Sequence, residues 1–271
     1  MPTILYKKST YTSHKDESLL DVFLRHGIEI PFSCKNGICH ACLMRSVSGS
    51  AIPEKAQKGL RSNLIDKHYF KACSFFPASD IEVKDARAED MFVPAFIAKK
   101  EILTAEICRL LIEPASTIDY RPGQFINLRN KEGELRSYSL SCVPEEDYYL
   151  SVYIKKVPDG LFSDWIFNEL AEGDEIEIQG GNGGCYYNKE SADQPLLLIG
   201  SGVGISPLIG IARDALLHEH KADIYLYHGT HTMQGLFLDK ELLELQRQYS
   251  QFHYIPCVSA TGEKIGSHCI A

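Results

Sequence analysis

The sequence predicts a multidomain α+β chain in three parts: a small sheet-and-helix domain at 1–85, an antiparallel β-barrel at 92–190, and a parallel-sheet α/β domain at 191–271. Residues 86–91 are the expected linker. Three observations carry this. Three cysteines crowd one early loop, between short strand and helix patterns. From Met91 short strand patterns alternate with glycine turns. From Pro195 the pattern changes to strand–helix–strand. A chain of 271 residues has ample material for two or three cores.

Composition excludes several classes. At 44% hydrophobic and 24% charged the chain is ordinary for a globular protein. No apolar run reaches membrane-spanning length. The start, Met1-Pro2-Thr3-Ile4-Leu5-Tyr6-Lys7-Lys8, lacks the basic-then-apolar order of a signal peptide, so the cytoplasm is the expected compartment. The net charge of −8 is uneven: residues 1–90 hold 13 basic against 11 acidic side chains, the remainder 15 against 25. That excludes nucleic acid as a partner for the bulk of the chain. The asymmetry suits docking on an acidic surface, and equally suits unrelated solvated faces.

In the first domain, Thr3–Lys7 and the segment near Tyr11 read as a hairpin. Ser18–Arg25 reads as a helix, favoured at its start by Asp16 and Glu17 and ended by Gly27. Pro31 breaks regularity before Cys34-Lys35-Asn36-Gly37-Ile38-Cys39-His40-Ala41-Cys42. Leu43–Val47 reads as a strand leaving that loop, Lys71-Ala72-Cys73 brings a late cysteine, and Ile81-Glu82-Val83 reads as the last strand. Asp85–Asp90 is polar and charged, as a linker would be.

The loop is C-x4-C-x2-C, and Cys73 follows after thirty intervening residues. Plant-type two-iron clusters use this spacing, making Cys34, Cys39, Cys42 and Cys73 candidate ligands of a [2Fe-2S] cluster. Gly37 lets the backbone fold toward the sulfurs. Zinc sites pair cysteines in two separate knuckles, which three in nine residues do not match. His40 reads as a solvent-facing loop histidine. Cys108, Cys142, Cys185, Cys257 and Cys269 are scattered and odd in number, against a disulfide framework.

The middle stretch offers strands at Phe96–Lys99, Ile102–Ile112, Gln124–Leu128, Ser137–Ser141, Tyr149–Lys155 and Glu175–Gln179, with a helical insert at Trp165–Leu170. In the third, Leu196–Ile199, Asp223–Tyr227 and Phe252–Val258 read as strands. Helices are expected from Pro207 to about His218 and from about Leu238 to Tyr249. Between the first strand and helix lies Gly200-Ser201-Gly202-Val203-Gly204-Ile205-Ser206-Pro207. A glycine-rich turn in that position is a phosphate cradle, with Ser206 as expected N-cap and Pro207 as first helical residue.

Together the cysteine loop, Arg136-Ser137-Tyr138-Ser139 and the Gly200–Pro207 turn resemble the ferredoxin–FAD–NAD(P)H reductase family. In that family a plant-type ferredoxin domain is fused to a ferredoxin–NADP reductase-like module, as in the reductase components of bacterial oxygenases. The resemblance implies a β-grasp ferredoxin domain and an antiparallel FAD barrel. It assigns Arg136 to the FAD pyrophosphate, Tyr138 to stacking on the flavin ring and Ser139 to the flavin N5 edge, the last two as catalytic candidates. Ser137 lies between them. Gly160, Leu161 and Ser163 match the family's helix-opening flavin motif, and Lys155 stands where a basic residue is common or is simply solvated.

Gly200, Gly202, Val203 and Gly204 match the pyridine-nucleotide loop, with Val203 replacing the usual threonine. His231 stands where an arginine is common, which favours NADH over NADPH. The implied function is electron transfer from NADH through FAD to the cluster and on to an oxygenase or other redox acceptor. The chain ends at Gly266-Ser267-His268-Cys269-Ile270-Ala271 without the family's last two strands, C-G-P motif and terminal aromatic, about 60 residues. The alternative expectation is therefore a flavin and iron–sulfur carrier, or a truncated binding protein, unable to oxidise NAD(P)H.

Overall fold

The computed structural model describes residues 1–259. The expected chain ending and Cys269 lie outside the described residues. In chain order the first elements are β1 (Thr3–Tyr6), β2 (Ser9–Thr12), α1 (Leu19–Arg25), β3 (Leu43–Gly49), α2 (Glu54–Gln57), α3 (Ser62–Asp66), β4 (Tyr69–Lys71), β5 (Ile81–Asp85) and α4 (Ala88–Met91). Next come β6 (Val93–Ile102), β7 (Ile107–Pro114), β8 (Phe125–Arg129), β9 (Leu135–Ser139), β10 (Leu150–Lys155), α5 (Leu161–Asn168) and β11 (Glu175–Asn182). The last are β12 (Leu196–Ser201), α6 (Ser206–Leu217), β13 (Ile224–Thr230), α7 (Asp239–Gln248) and β14 (Phe252–Val258). They group into two compact units. One comprises Met1–Val93, Asn127–Ser137 and Glu177–Gly184; the other comprises Pro94–Ile126, Tyr138–Ile176 and the chain from Cys185 onward.

In the first unit a five-stranded sheet runs β2-β1-β5-β3-β4, with β1 and β5 parallel. Ser18 caps α1 by accepting the Asp21 N–H, and Gly27 follows at φ 70, where a side chain is strained. Helix α1 buries Leu19, Leu20, Val22 and Phe23 in a core with Ile4, Tyr6, Phe70 and Phe75. The one-turn helices α2 and α3 are too short for apolar periodicity to reveal them. The expected linker differs most. It forms α4, and Met91 is buried beside Leu43, Leu60, Leu64 and Tyr69. The Tyr69 hydroxyl donates to Asp90, which also pairs with Lys67. One buried methionine, contributing about 2 kcal/mol, and one shared carboxylate anchor a stretch whose charge pattern reads as solvated. This unit also holds most of β8 and β11 and the start of β9; β8 lies between β11 and β9.

In the second unit β7 pairs antiparallel with β6 and with β10, placing Cys108 opposite Ile102 and Ile154. Strands β12, β13 and β14 form a parallel sheet in that order. Leu198, Ile224, Leu226, Phe252 and Tyr254 share a core with Ile209, Ala212 and Leu216 of α6 and Leu242 of α7. Strand–helix alternation ordinarily covers a parallel sheet on both faces; among the described residues it does not do so here. Leu197 and Ile199, on the other face of β12, are 63% and 69% exposed. Helix α6 starts at Ser206, one residue earlier than expected, so Pro207 is its second residue. The Ser206 hydroxyl does not cap it; it donates to the Val203 carbonyl at 2.6 Å. Against this helix lies the Pro122-Gly123 turn. Gly123 has φ 93, and a Cβ there would lie 2.6 Å from Ile211 Cγ1 and 2.7 Å from the Cys185 carbonyl oxygen.

Gly123→Ala should therefore lower unfolding free energy by about 2–4 kcal/mol, from backbone strain plus overpacking; an unchanged urea midpoint would contradict this. A second expectation concerns acid. Hydrogen bonds from Arg25 hold Glu17 down to about 2, against an ordinary 4.5. A lowered folded-state pKa stabilises above the unfolded value and is lost as pH falls through the folded one. Glu17→Gln should flatten the stability loss between those two pH values in circular-dichroism titrations. The parent's slope persisting would count against it.

Candidate functional site

The cysteine loop is positioned by the pairing of β3 with β4. Leu43 stands opposite Lys71, and the Ala72 N–H donates to the Cys42 carbonyl at 3.0 Å, so Cys73 arrives beside Cys42. The Cys42 and Cys73 thiols hydrogen-bond each other, as do those of Cys34 and Cys39. The loop turns through left-handed residues Lys35, Gly37 and His40. At Gly37 a Cβ would fall 2.4 Å from Ser74 Oγ, so only glycine fits without displacement.

Backbone amides face the sulfurs. Asn36 and Cys39 N–H groups donate to Cys34 Sγ at 3.3 and 3.4 Å. Burial opposes ionisation of Cys34, but these amides and that of Ile38 outweigh it and lower its pKa. Cys73 is lowered to about 6, first by the Cys42 hydrogen bond, against burial and with help from Ser74, the Gly37 amide and Lys71. Cys42 is correspondingly raised by that hydrogen bond and by burial. Among the described residues no three ligating side chains converge on one point, as a single ion needs. The sulfurs form two neighbouring pairs, an arrangement that fits two irons with two thiolates each.

His40 is not solvent-facing as expected. It is 6% exposed, and its Nδ1 lies 2.9 Å from Asn182 Oδ1 in β11. Burial, then the charge of Lys71, holds it down to about 4, so the neutral ring donates from Nδ1. Beside it, Asn127 of β8 is fully buried. Its Nδ2 donates to the Cys39 carbonyl at 2.8 Å and to Gln179 Oε1 at 2.7 Å, while its Oδ1 accepts from Ser137 Oγ at 2.6 Å. One amide thus joins the cysteine loop to the strand carrying Arg136-Ser137-Tyr138-Ser139. Sequence reasoning passed over Asn127, Gln179 and Asn182; the available signal was a polar side chain within otherwise apolar strand patterns.

The flavin candidates fall on β9, β10 and the start of α5. Arg136 is exposed, with Nη1 donating to the Leu135 carbonyl at 2.8 Å. The Tyr138 and Phe162 rings lie 6.2 Å apart at 31°, bringing the end of β9 beside the start of α5; Ser139 ends β9, half-buried. Ser163 is buried; its hydroxyl accepts the Val157 N–H at 3.0 Å and donates to the Gly160 carbonyl. It fixes the turn from within, while Leu161 is 74% exposed beside the first helical amides. Lys155 pairs with Glu106 at 3.7 Å on the surface.

Gly200 is the last residue but one of β12, where a Cβ would lie 2.9 Å from Ile205 backbone atoms; Gly202 has φ 51; a Cβ at Gly204 meets nothing within 4 Å. Close backbone approach and open space above it are what a phosphate-facing turn requires. A cleft of about 500 Å³ adjoins Gly200 and Ser201, lined by Ile199, Tyr227, Gly229 and Cys257. His231 is exposed, with Nδ1 3.1 Å from Ser259 Oγ.

Three family descriptions match successive stretches: a 2Fe-2S iron–sulfur cluster binding domain at 3–78, an oxidoreductase FAD-binding domain at 95–187, and an oxidoreductase NAD-binding domain at 198–267. The reductase component of a Pseudomonas putida naphthalene 1,2-dioxygenase system, a ferredoxin–NAD(P)+ reductase, is 31% identical over 251 residues, 90% of this chain and 75% of that protein. The chain belongs to the ferredoxin–NAD(P)+ reductase family of oxygenase systems. An Amycolatopsis aromatic O-demethylase reductase subunit is 30% identical over 90% of the chain and 76% of its own length. A crystal structure of an Amycolatopsis cytochrome P450 reductase superposes with TM-score 0.64 and 26% identity, covering 97% of this chain and 82% of that one. The family brings an iron–sulfur domain, an FAD domain and an NAD(P) domain to one polypeptide, and the reductase is an oxidoreductase that moves electrons from NAD(P)H to a 2Fe-2S centre.

Asn127→Ala would leave the Cys39 carbonyl, Gln179 and the Ser137 hydroxyl without their shared partner. Unfolding free energy should fall by about 1–3 kcal/mol; equal stability in urea titrations would mean that the amide does not hold the loop.

Proposed function

We propose that this reductase takes electrons from NADH, passes them through FAD to a [2Fe-2S] cluster held by Cys34, Cys39, Cys42 and Cys73, and delivers them singly to an oxygenase component in the cytoplasm. The observation that carries the reading is the pairing of four thiols from two distant segments, tied through Asn127 to the strand bearing Arg136 and Tyr138. When bound, FAD accepts two electrons as a hydride and releases them one at a time.

The side chains place and insulate these groups. The exposed Arg136 guanidinium offers a planar fork to the pyrophosphate. Ser137 is held by Asn127, which fixes the strand register at that point. Tyr138 offers a flat apolar face to the flavin ring, and Ser139 a hydroxyl at its edge. Gly160, Leu161 and Ser163 shape a helix start whose amides face an anion, and Lys155 adds surface charge near that region. Gly200, Gly202, Val203 and Gly204 let the nucleotide phosphates approach the backbone. His231 stands where an arginine would hold a 2′-phosphate, which favours NADH. Among the described residues Cys108, Cys142 and Cys185 form no disulfide, as suits a reducing compartment.

Anaerobic mixing with NADH should bleach flavin absorbance rapidly and then produce a one-electron cluster signal, with NADPH slower in kcat/KM. A protein loaded with FAD and iron that dithionite reduces but NADH does not would defeat the proposal. Arg136→Ala should lose FAD on gel filtration with the cluster retained; full flavin content would remove Arg136 from the site.

A further inference from the structure

Lys71 ends β4 two residues before Cys73 and is 3% exposed. Its Nζ donates to the Gly37 carbonyl at 2.9 Å and to the Lys58 carbonyl. Both partners are neutral, and among the described residues no carboxylate forms an ion pair with it. Burying an ammonium is costly unless an opposite charge faces it. Across Gly37 from Lys71 lies the Cys73–Ser74 turn: a Cβ on Gly37 would meet Ser74 Oγ at 2.4 Å and Lys71 Nζ at 3.7 Å. Gly37 connects the two sides: its N–H faces Cys73 and its carbonyl faces Lys71. The neighbouring Lys35 is different, since it is exposed, sits 3.5 Å from Asp21 and lies over the Phe32 ring.

We propose that Lys71 is the built-in counter-charge of the iron–sulfur centre and raises its reduction potential. The inference rests on the four-cysteine reading above. Reduction adds one electron to the centre and no proton, so the site gains one negative charge. A cation held at fixed distance in a low-dielectric interior stabilises that product more than the oxidised form. Lys71 is thus a positioning and tuning residue: it holds the loop through Gly37 and makes the cluster a better acceptor from flavin.

The test is the cluster midpoint potential of the loaded protein, read by electron paramagnetic resonance during redox titration, for the parent and Lys71→Met, Lys71→Gln and Lys71→Arg. Met removes the charge and the donor, Gln keeps a donor, and Arg keeps the charge. At the parent's midpoint, Met and Gln should cut the reduced-to-oxidised ratio at least tenfold, about 59 mV more negative for one electron, while Arg stays close to the parent. Parent-like potentials in both neutral variants, with full cluster signal, overturn the proposal. Cluster loss in Met and Gln but not in Arg, with flavin kept in all, supports it, because charge is then needed to hold the anion. Cluster loss in all three with flavin kept overturns it, since shape is then what the position supplies. A parent that binds no cluster defeats the four-cysteine reading itself, a result distinct from all of these.

Discussion

The pairing of β3 with β4 is the constraint on which the site depends. Cys42 and Cys73 are far apart in the chain, and only the register that sets Leu43 opposite Lys71 makes their thiols neighbours. That register is held by burial as well as by hydrogen bonds. Met44, Phe70, Ala72 and Phe75 belong to the same core as the inner face of α1. A slip by one residue would turn these side chains to the other face and carry Cys73 away from Cys42. The cysteine loop itself has little regular structure. It is shaped by left-handed residues, by amides aimed at sulfur, and by what grips it from outside.

That grip is polar and buried. Asn127 and Asn182 come from β8 and β11, yet they bond to the Cys39 carbonyl and to His40. Buried amides are costly unless satisfied, and a satisfied network fixes one geometry where apolar packing would allow several. The network therefore holds the cysteine loop in one place against β8 and β11. His40 fits the same logic. Held neutral by burial, it acts as a hydrogen-bond donor and adds no charge of its own near the sulfurs.

Much of this was legible in the sequence, for identifiable reasons. The C-x4-C-x2-C spacing singles out Cys34, Cys39, Cys42 and Cys73 in the sequence, and the β3–β4 pairing brings Cys73 beside Cys42. Strands such as Phe252–Val258 and the helix starting near Pro207 carry strong period signals, and the structure places them within a residue or two. What escaped depends on contacts across the chain. His40 reads as exposed until Asn182 covers it. Asp85–Asp90 reads as solvated until Met91 finds Leu43 and Tyr69. Asn127 stands in an apolar strand with nothing nearby in sequence to show that its partner is a cysteine carbonyl. Leu196–Ile199 is wholly apolar, yet alternate residues of this strand face outward.

The central claim is that this chain holds a two-iron centre on Cys34, Cys39, Cys42 and Cys73. The most direct measurement is metal and sulfide analysis of anaerobically purified protein, combined with electron paramagnetic resonance after dithionite reduction. The account predicts two irons and two sulfides per chain and one unpaired spin for each pair of irons, lost when Cys73 is replaced by serine or alanine. A single zinc per chain with no spin signal, or a full signal that survives replacement of Cys73, would contradict it.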